Sequence, residues 1–323
     1  MGLLDGLSST APAKAAKKLQ YMDVAVTATA KEFAGIYRGK QHHPNDFDAV
    51  LDRALATGVE KVMLTGMSLS DVAVNLDIAK RRNPHCGVTI GVHPYHAAEA
   101  DEGGDEYYGQ LCSAVNTALQ EEPRRVAAFG EVGLDYDHLA RASRDAQIRV
   151  FRRQLDMFVQ QKWALPLFLH CRAAFDDFVA VVTPYAGSLP KGGLVHSFVG
   201  TSEQMRELVA LGLDISVNGF SFRDRESLEM VRDVPLDRLQ IETDAPWGVI
   251  QPSSEVAKAY LANAALLPAA KKKDKFELGK MVKERNESCT IEQVAMIVAG
   301  LKGLTVDGVA ERAWENSSRM FVF

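Results

Sequence analysis

Five residues of acid–base or metal-ligand type stand at the ends of short apolar runs. Glu131 closes the run in Phe-Gly-Glu-Val-Gly-Leu-Asp and His170 the run in Pro-Leu-Phe-Leu-His-Cys-Arg. His196 lies in Leu-Val-His-Ser-Phe, Asp244 in Ile-Glu-Thr-Asp-Ala-Pro-Trp, and His93 in Gly-Val-His-Pro. One such histidine is usually a hydrogen-bonded core residue, and one such carboxylate usually caps a helix. Five together exceed what capping explains, because burying an imidazole or carboxylate is costly unless it is paired or bound to metal. Imidazole and carboxylate in combination suit a divalent cation.

The elements that must position them are legible as alternation. Candidate strands are Tyr21–Thr29, Lys61–Thr65, Val88–His93, Val126–Val132, Leu165–His170, Gly193–Phe198, Asp214–Gly219 and Leu239–Thr243. Most are near-continuous apolar runs, as parallel strands covered on both faces require. Helical patterns separate them. Asn45 can cap a helix carrying Phe47, Val50, Leu51, Ala54 and Leu55 on one face, with Gly58 ending it. Ile148, Phe151, Leu155, Phe158 and Val159 form a second stripe, and Thr201/Gln204 and Thr290/Gln293 have capping-box spacing. Eight strands in strict alternation with helices predict an α/β fold of the (β/α)8 TIM-barrel type, whose strand ends converge on one C-terminal face. A doubly wound sheet is the alternative. It lacks support because no Gly-x-Gly-x-x-Gly follows the first strand.

The 323 residues, 47% of them hydrophobic, are enough for one large barrel core. Residues 1–20 are rich in Ala, Ser and Lys without a secretory apolar block and are expected to form a loosely ordered tail, leaving 21–323 as one barrel domain. A segment at about 248–286 breaks the rhythm after the eighth strand. It shows no strand of its own and carries Lys271, Lys272, Lys273 and Lys275. At the rim of a barrel these lysines are either a solvated surface or contacts for phosphate. No apolar run reaches membrane-spanning length. Four unclustered cysteines are expected to be free thiols in a reducing compartment, and an intracellular location, cytoplasmic or nuclear, follows as the expectation. The net charge of −5 excludes a protein that coats nucleic acid with general basicity, so a polyanionic substrate would have to meet local positive charge or metal.

These residues resemble the TatD-like deoxyribonucleases, a family of amidohydrolase-type metal-dependent hydrolases. The stretch Pro166 to Asp176 is similar to one family signature, and Val234-Pro235, Leu239 and Ile241 to Pro246 to another. Gly130 to Asp135 and Gly91 to Pro94 resemble two more, and Gly35 to Gly39 with Arg285-Asn286-Glu287 resembles the eukaryotic branch. The resemblance implies that Glu131 bridges divalent ions, that His170, His196 and Asp244 complete the coordination, and that His93 and Arg172 meet the scissile phosphate. It implies magnesium-dependent hydrolysis of DNA, single-stranded or at 3′ ends, with exonucleolytic 3′-to-5′ attack. Manganese would substitute, and zinc would bind. One departure stands out: many members carry His-x-His at the end of the first strand, where this chain has Thr27 and Thr29. Neutral hydroxyls suit a hydrated hard cation better than a transition metal.

In the mechanism this suggests, Asp244 takes the proton of an attacking water and Arg172 braces the phosphoryl oxygens. Trp247 either stacks on a terminal base or forms a hydrophobic lid. Two rivals are an amide or ester hydrolase on the same barrel and a non-catalytic nucleic-acid-binding or scaffold protein. Glu131 stands where many amide hydrolases of this type place a carboxylated lysine, which favours the nuclease. The four ligands other than the first-strand histidines, Glu131, His170, His196 and Asp244, are all kept, which speaks against a non-catalytic protein.

Overall fold

Strands covered on both faces must satisfy every backbone group with a neighbouring strand, and eight apolar runs do so in chain order. The computed structural model describes residues 19–323. Its principal strands are β1 Tyr21–Val26, β2 Val59–Leu64, β3 Cys86–Ile90, β4 Val126–Asp135, β5 Leu167–Arg172, β6 Gly193–His196, β7 Leu213–Val217 and β8 Leu239–Ile241. Each pairs in parallel with the next. A parallel bridge joins Val26 to Ala245, and Thr27 N donates to the Ala245 carbonyl at 2.9 Å. The last strand thus returns to the first and the barrel is nearly closed. A doubly wound sheet is excluded, since the strand order is sequential and has no reversal point. Most of the expected tail lies outside the described residues.

The helices are α1 Phe47–Ala56, α2 Leu69–Arg81, α3 Ala97–Leu119, α4 Arg144–Gln161, α5 Phe175–Val182, α6 Ser202–Ala210, α7 Arg225–Asp233, α8 Glu255–Tyr260, α9 Ile291–Lys302 and α10 Val306–Met320. No single helix among the described residues is long and apolar enough to cross a membrane. Thr201 and Gln204 form the capping box expected of them. Two other caps differ from expectation. Asp46, not Asn45, occupies the cap position of α1, while Asn45 Oδ1 accepts from Phe47 N at 3.0 Å. Thr290 already has near-helical backbone because a 3-10 turn runs into α9, and its hydroxyl donates to Glu287 O and lies 2.8 Å from Asn286 Oδ1 instead of capping.

The helices pack on the outer wall of the barrel through the larger core cluster. A smaller cluster, with Met22, Val24, Met63, Phe168, Leu194 and Phe321, fills a second layer. Alternation along β5 places Phe168, His170 and Arg172 on one face. The Phe168 ring stacks on that of His196 with centroids 4.9 Å apart, so apolar packing forms the floor beneath the imidazoles.

The segment after β8 is more ordered than its sequence suggests. It contains α8 and a short parallel pair, Ala270–Lys271 with Met281–Val282. The early loop holds it down: His42 Nδ1 meets Asp274 Oδ1 at 2.6 Å and His43 stacks on Phe276 at 4.3 Å. Four buried charges fasten its end. Arg285 bonds both oxygens of Asp46 at 2.6 and 2.7 Å and Glu287 Oε1 at 2.9 Å, and Arg53 Nε reaches Glu287 Oε2 at 2.7 Å. Removing one partner from such a network leaves buried charge uncompensated. Arg285→Met, which keeps most of the volume, should therefore lower unfolding stability by about 3–5 kcal/mol. Urea denaturation measures this, and a loss below about 1 kcal/mol would show that the network is not what anchors the segment.

Candidate metal centre

Glu131 is brought to its neighbours by the glycines around it. Gly130 and Gly133 have φ of +153° and +149°, and a Cβ on either would strike a β5 backbone carbonyl, of Phe168 and His170 respectively. Only glycine lets β4 lie this close to β5 with that backbone. The registers then set Gly133 beside His170, Asp135 beside Arg172, and His170 beside His196.

Three imidazoles converge on one carboxylate oxygen. Glu131 Oε1 lies 2.6 Å from His196 Nε2, 2.8 Å from His170 Nδ1 and 3.2 Å from His93 Nε2. His170 Nδ1 and His196 Nε2 are 3.2 Å apart. His93, Glu131 and His170 each offer a ligand atom within 4.8 Å of the others, and all three are buried. His93 is fixed by Tyr95 N, which donates to Nδ1 at 3.0 Å and so leaves Nε2 as the N–H that faces Glu131.

A further set of carboxylates stands behind the imidazoles. Asp135 Oδ2 meets His170 Nε2 at 3.2 Å, and its Oδ1 meets His138 Nδ1 at 3.0 Å. Glu242 Oε1 lies 3.4 Å from His196 Nδ1, a buried nitrogen with no hydrogen-bond partner among the described residues. Glu242 is itself held by Ser216 Oγ at 2.6 Å and Asn218 Nδ2 at 2.8 Å. Asp23 accepts from both the backbone and the hydroxyl of Thr243, at 2.9 and 2.6 Å.

The electrostatics follow from burial and these partners. Burial lowers the His93 pKa to about 4, keeping it neutral, although Glu131 opposes the shift. Burial also works against charge on His196, but Glu131 and Glu242 outweigh it and raise this imidazole well above its usual range. His170 is raised in the same way by Asp135 and Glu131 against burial. Burial would raise Glu131, yet His196 and His93 beside it pull the carboxyl well down. Asp244 is pushed up to about 7, chiefly by burial, with Glu242 and Glu131 adding to it and His196 opposing.

The donor set fits a divalent cation. Nitrogen and carboxylate donors already point at one another, the charge on His170 and His196 is a place a cation can take, and His196 Nδ1 faces a carboxylate, an arrangement that orients metal-binding imidazoles. Of the sequence-predicted residues, Glu131, His170 and His196 meet directly, with His93 in the same cluster. Asp244 lies three residues beyond β8 at φ +54°, within electrostatic reach of them, and its carboxylate makes no hydrogen bond to the described residues. At the first strand Thr27 Oγ1 and Thr65 Oγ1 bond each other at 2.9 Å, and Thr29 lies in the turn that follows.

A family model described as "TatD related DNase" matches residues 23–322. The chain belongs to this family. It is 41% identical over 305 residues to a "Deoxyribonuclease Tat-D" of Schizosaccharomyces pombe, covering 93% of this chain and 95% of the relative. It is 31% identical to a "3'-5' ssDNA/RNA exonuclease TatD" of Erwinia billingiae, covering 93% and 98%. A crystal structure of an uncharacterized amidohydrolase from Saccharomyces cerevisiae superimposes with a TM-score of 0.86 at 29% identity, covering 94% and 100%.

Around this TatD-family centre the remaining candidates divide. Arg172 sits on the ring of Phe220 at 5.4 Å. Trp247 is 38% exposed. Lys271 lies 3.7 Å from Glu277 and Lys273 sits 5.2 Å above the Tyr37 ring, whereas Lys272 is exposed without a partner among the described residues. Sequence reasoning gave no role to Asp135, Glu242, Ser216 and Asn218. Period-two alternation from Glu131 to Asp135 and from Glu242 to Asp244 was the available signal. Glu242→Gln should weaken binding of manganese or magnesium about 10- to 100-fold with the fold intact, because an orienting partner of His196 is lost. Calorimetric titration checks this, and unchanged affinity would remove Glu242 from the support of the centre.

Proposed function

We propose that this protein is a divalent-metal-dependent deoxyribonuclease that removes nucleotides from single-stranded DNA or 3′ ends, with magnesium as its working ion. The observation that carries the reading is the convergence of His93, His170 and His196 on Glu131 at the rim of a TatD-family barrel, beside the arginine Arg172. The printed names of the relatives, a deoxyribonuclease and a 3′–5′ exonuclease, support the reaction class and its direction.

Glu131, His170, His196 and Asp244 would hold the metal, which when bound polarises phosphoryl oxygens and acidifies the attacking water. The chain's own groups do the rest. Asp244, which has left-handed backbone at φ +54°, would take up the proton of the attacking water at its carboxylate. Arg172 braces the non-bridging oxygens with its planar fork. His93, kept neutral by burial and held by Glu131 at Nε2, would stand beside the phosphate. Trp247 stacks on the terminal base, a contact worth about 1–3 kcal/mol.

Titrating magnesium into the pure protein while following nucleotide release from single-stranded DNA labelled at either end tests the reading. Metal-dependent release beginning at the 3′ end is expected, and no release at any magnesium concentration would overturn it. Zinc should bind the imidazoles and support little turnover. Full activity in zinc with magnesium inert would refute the hard-ion assignment.

Glu131→Gln should lower the rate by at least about a thousandfold, since a neutral amide turns donor hydrogens toward a cation that needs an anion. The rise in melting temperature that magnesium gives the wild type should vanish in the variant. Melting in chelator should also fall somewhat, because Glu131 is the counter-charge of buried imidazoles. A folded Glu131→Gln protein degrading DNA at near wild-type rate would remove this residue from the mechanism.

A further inference from the structure

Two guanidinium groups share one aromatic ring beside the metal centre. Arg172 Cζ lies 5.4 Å, and Arg223 Cζ 4.2 Å, from the centroid of Phe220. Neither guanidinium has a carboxylate or hydrogen-bond partner among the described residues, and Arg172 Nε is buried without one. Nearby arginines behave differently: Arg225 pairs with Glu229 and Arg144 with Asp177. In a chain with 42 acidic and 37 basic residues, two adjacent unpaired arginines go against the general balance. Burial and the neighbouring Arg172 both lower the pKa of Arg223, the mark of positive charge lacking its anion.

The pair is built into the centre rather than scattered on the surface. Arg172 follows His170 by two residues on β5 and lies in register with Asp135. Phe220 and Arg223 belong to the turn after β7, which Asn218 fastens. Its Nδ2 donates to Glu242 Oε1 at 2.8 Å and to Ser197 Oγ at 2.9 Å, while its Oδ1 accepts from Phe220 N at 2.8 Å. Ser221 Oγ adds a bond to the Phe198 carbonyl at 2.9 Å. Gly219 lies against the Gly248 carbonyl, where no Cβ would fit, so this turn abuts the one that carries Trp247. One residue, Glu242, therefore faces both the imidazole His196 and the base of the arginine turn.

We propose that Arg172, Phe220 and Arg223 form a subsite for a second phosphodiester of the substrate strand, an internal linkage next to the scissile one. The inference rests on reading the rim as a nuclease site. The ring holds the guanidinium planes, so their N–H edges are set before the anion arrives. A phosphate between them relieves their repulsion and accepts hydrogen bonds from both. Arg172 thus spans the scissile and the neighbouring phosphate, and Arg223 fixes the register of the strand.

Binding of a fluorescein-labelled single-stranded oligodeoxynucleotide, measured by anisotropy in EDTA over a range of potassium chloride, tests this without turnover. Arg223→Gln should weaken binding about tenfold at low salt, the loss of one charge-assisted contact. It should also reduce the slope of log affinity against log salt by about 0.7, the value for one single-strand phosphate. Arg223→Lys should restore the slope without the full affinity, and Phe220→Leu should weaken binding about threefold with the slope unchanged. In the wild type, one internal methylphosphonate linkage should reproduce the Arg223→Gln loss. A variant that binds like the wild type, or a wild type that binds no DNA, would overturn the subsite. An effect of Arg223 seen only with a terminally phosphorylated strand would overturn the internal-linkage assignment. Arg223-dependent binding with no nucleotide release in magnesium would instead refute the nuclease reading and leave the subsite standing, and active release with Arg223-independent binding would do the reverse.

Discussion

A single buried carboxylate oxygen surrounded by three imidazole nitrogens is the feature the rest of the molecule must accommodate. Each of these groups loses hydration on burial, and their mutual attraction compensates only if the geometry is good and the outer lone pairs and protons are satisfied. The barrel meets both conditions. Glycines at 130 and 133 let β4 and β5 approach closely enough for Glu131 to meet His170. Asp135 and Glu242 take the far sides of His170 and His196, and Ser216 and Asn218 hold Glu242 in turn. The polar layer rests on Phe168, whose ring lies flat against His196, and the apolar residues around it keep water from below.

The same demand explains why the end of the segment after β8 is anchored by charges. Asp244 adopts left-handed backbone at φ +54°, a conformation that a non-glycine residue holds only when its surroundings impose it. They do so from both sides. Asp23 grips the amide and hydroxyl of Thr243, and Asn286 Nδ2 donates to the Thr243 carbonyl at 2.9 Å while Asn286 N bonds the Pro246 carbonyl at 3.0 Å. Asn286 sits between Arg285 and Glu287, the buried pair that meets Asp46 and Arg53 of the first helix region. The ion network flanks Asn286 in the chain and so helps to fix where Asn286, and through it the Asp244 turn, can lie.

Much of this was legible in the sequence, for a physical reason. Strands buried on both faces cannot hide polar residues cheaply, so Glu131, His170 and His196 stand out against Val, Leu and Phe, and all eight strands follow from the same contrast. The supporting residues were harder to see. Asp135, Glu242 and Asn218 lie beside polar neighbours or turn residues, where an Asp, Glu or Asn has many ordinary uses, and only the closed barrel shows which imidazole each one faces. Caps were legible where the box was local, as at Thr201, and not at Thr290, whose hydroxyl is engaged with Asn286 and Glu287. The short strand pair in the rim segment carries no alternation long enough to read, and the sharing of Phe220 by two arginines from different strand ends leaves no local pattern at all.

The departure at the first strand takes on a definite meaning in this setting. Thr27 and Thr65 satisfy each other, so the ends of β1 and β2 present neutral hydroxyl oxygens. The nitrogen donors are therefore all supplied from β3, β5 and β6, around Glu131. A cation on the β1 side would have to keep much of its own water and be balanced by carboxylate charge from Glu131 and Asp244. Under the proposed assignment, magnesium, which retains its hydration, suits that arrangement better than zinc, which draws most of its affinity from nitrogen ligands. The hydroxyls at the ends of the first two strands do not disturb the barrel, since a bonded pair is cheap to bury.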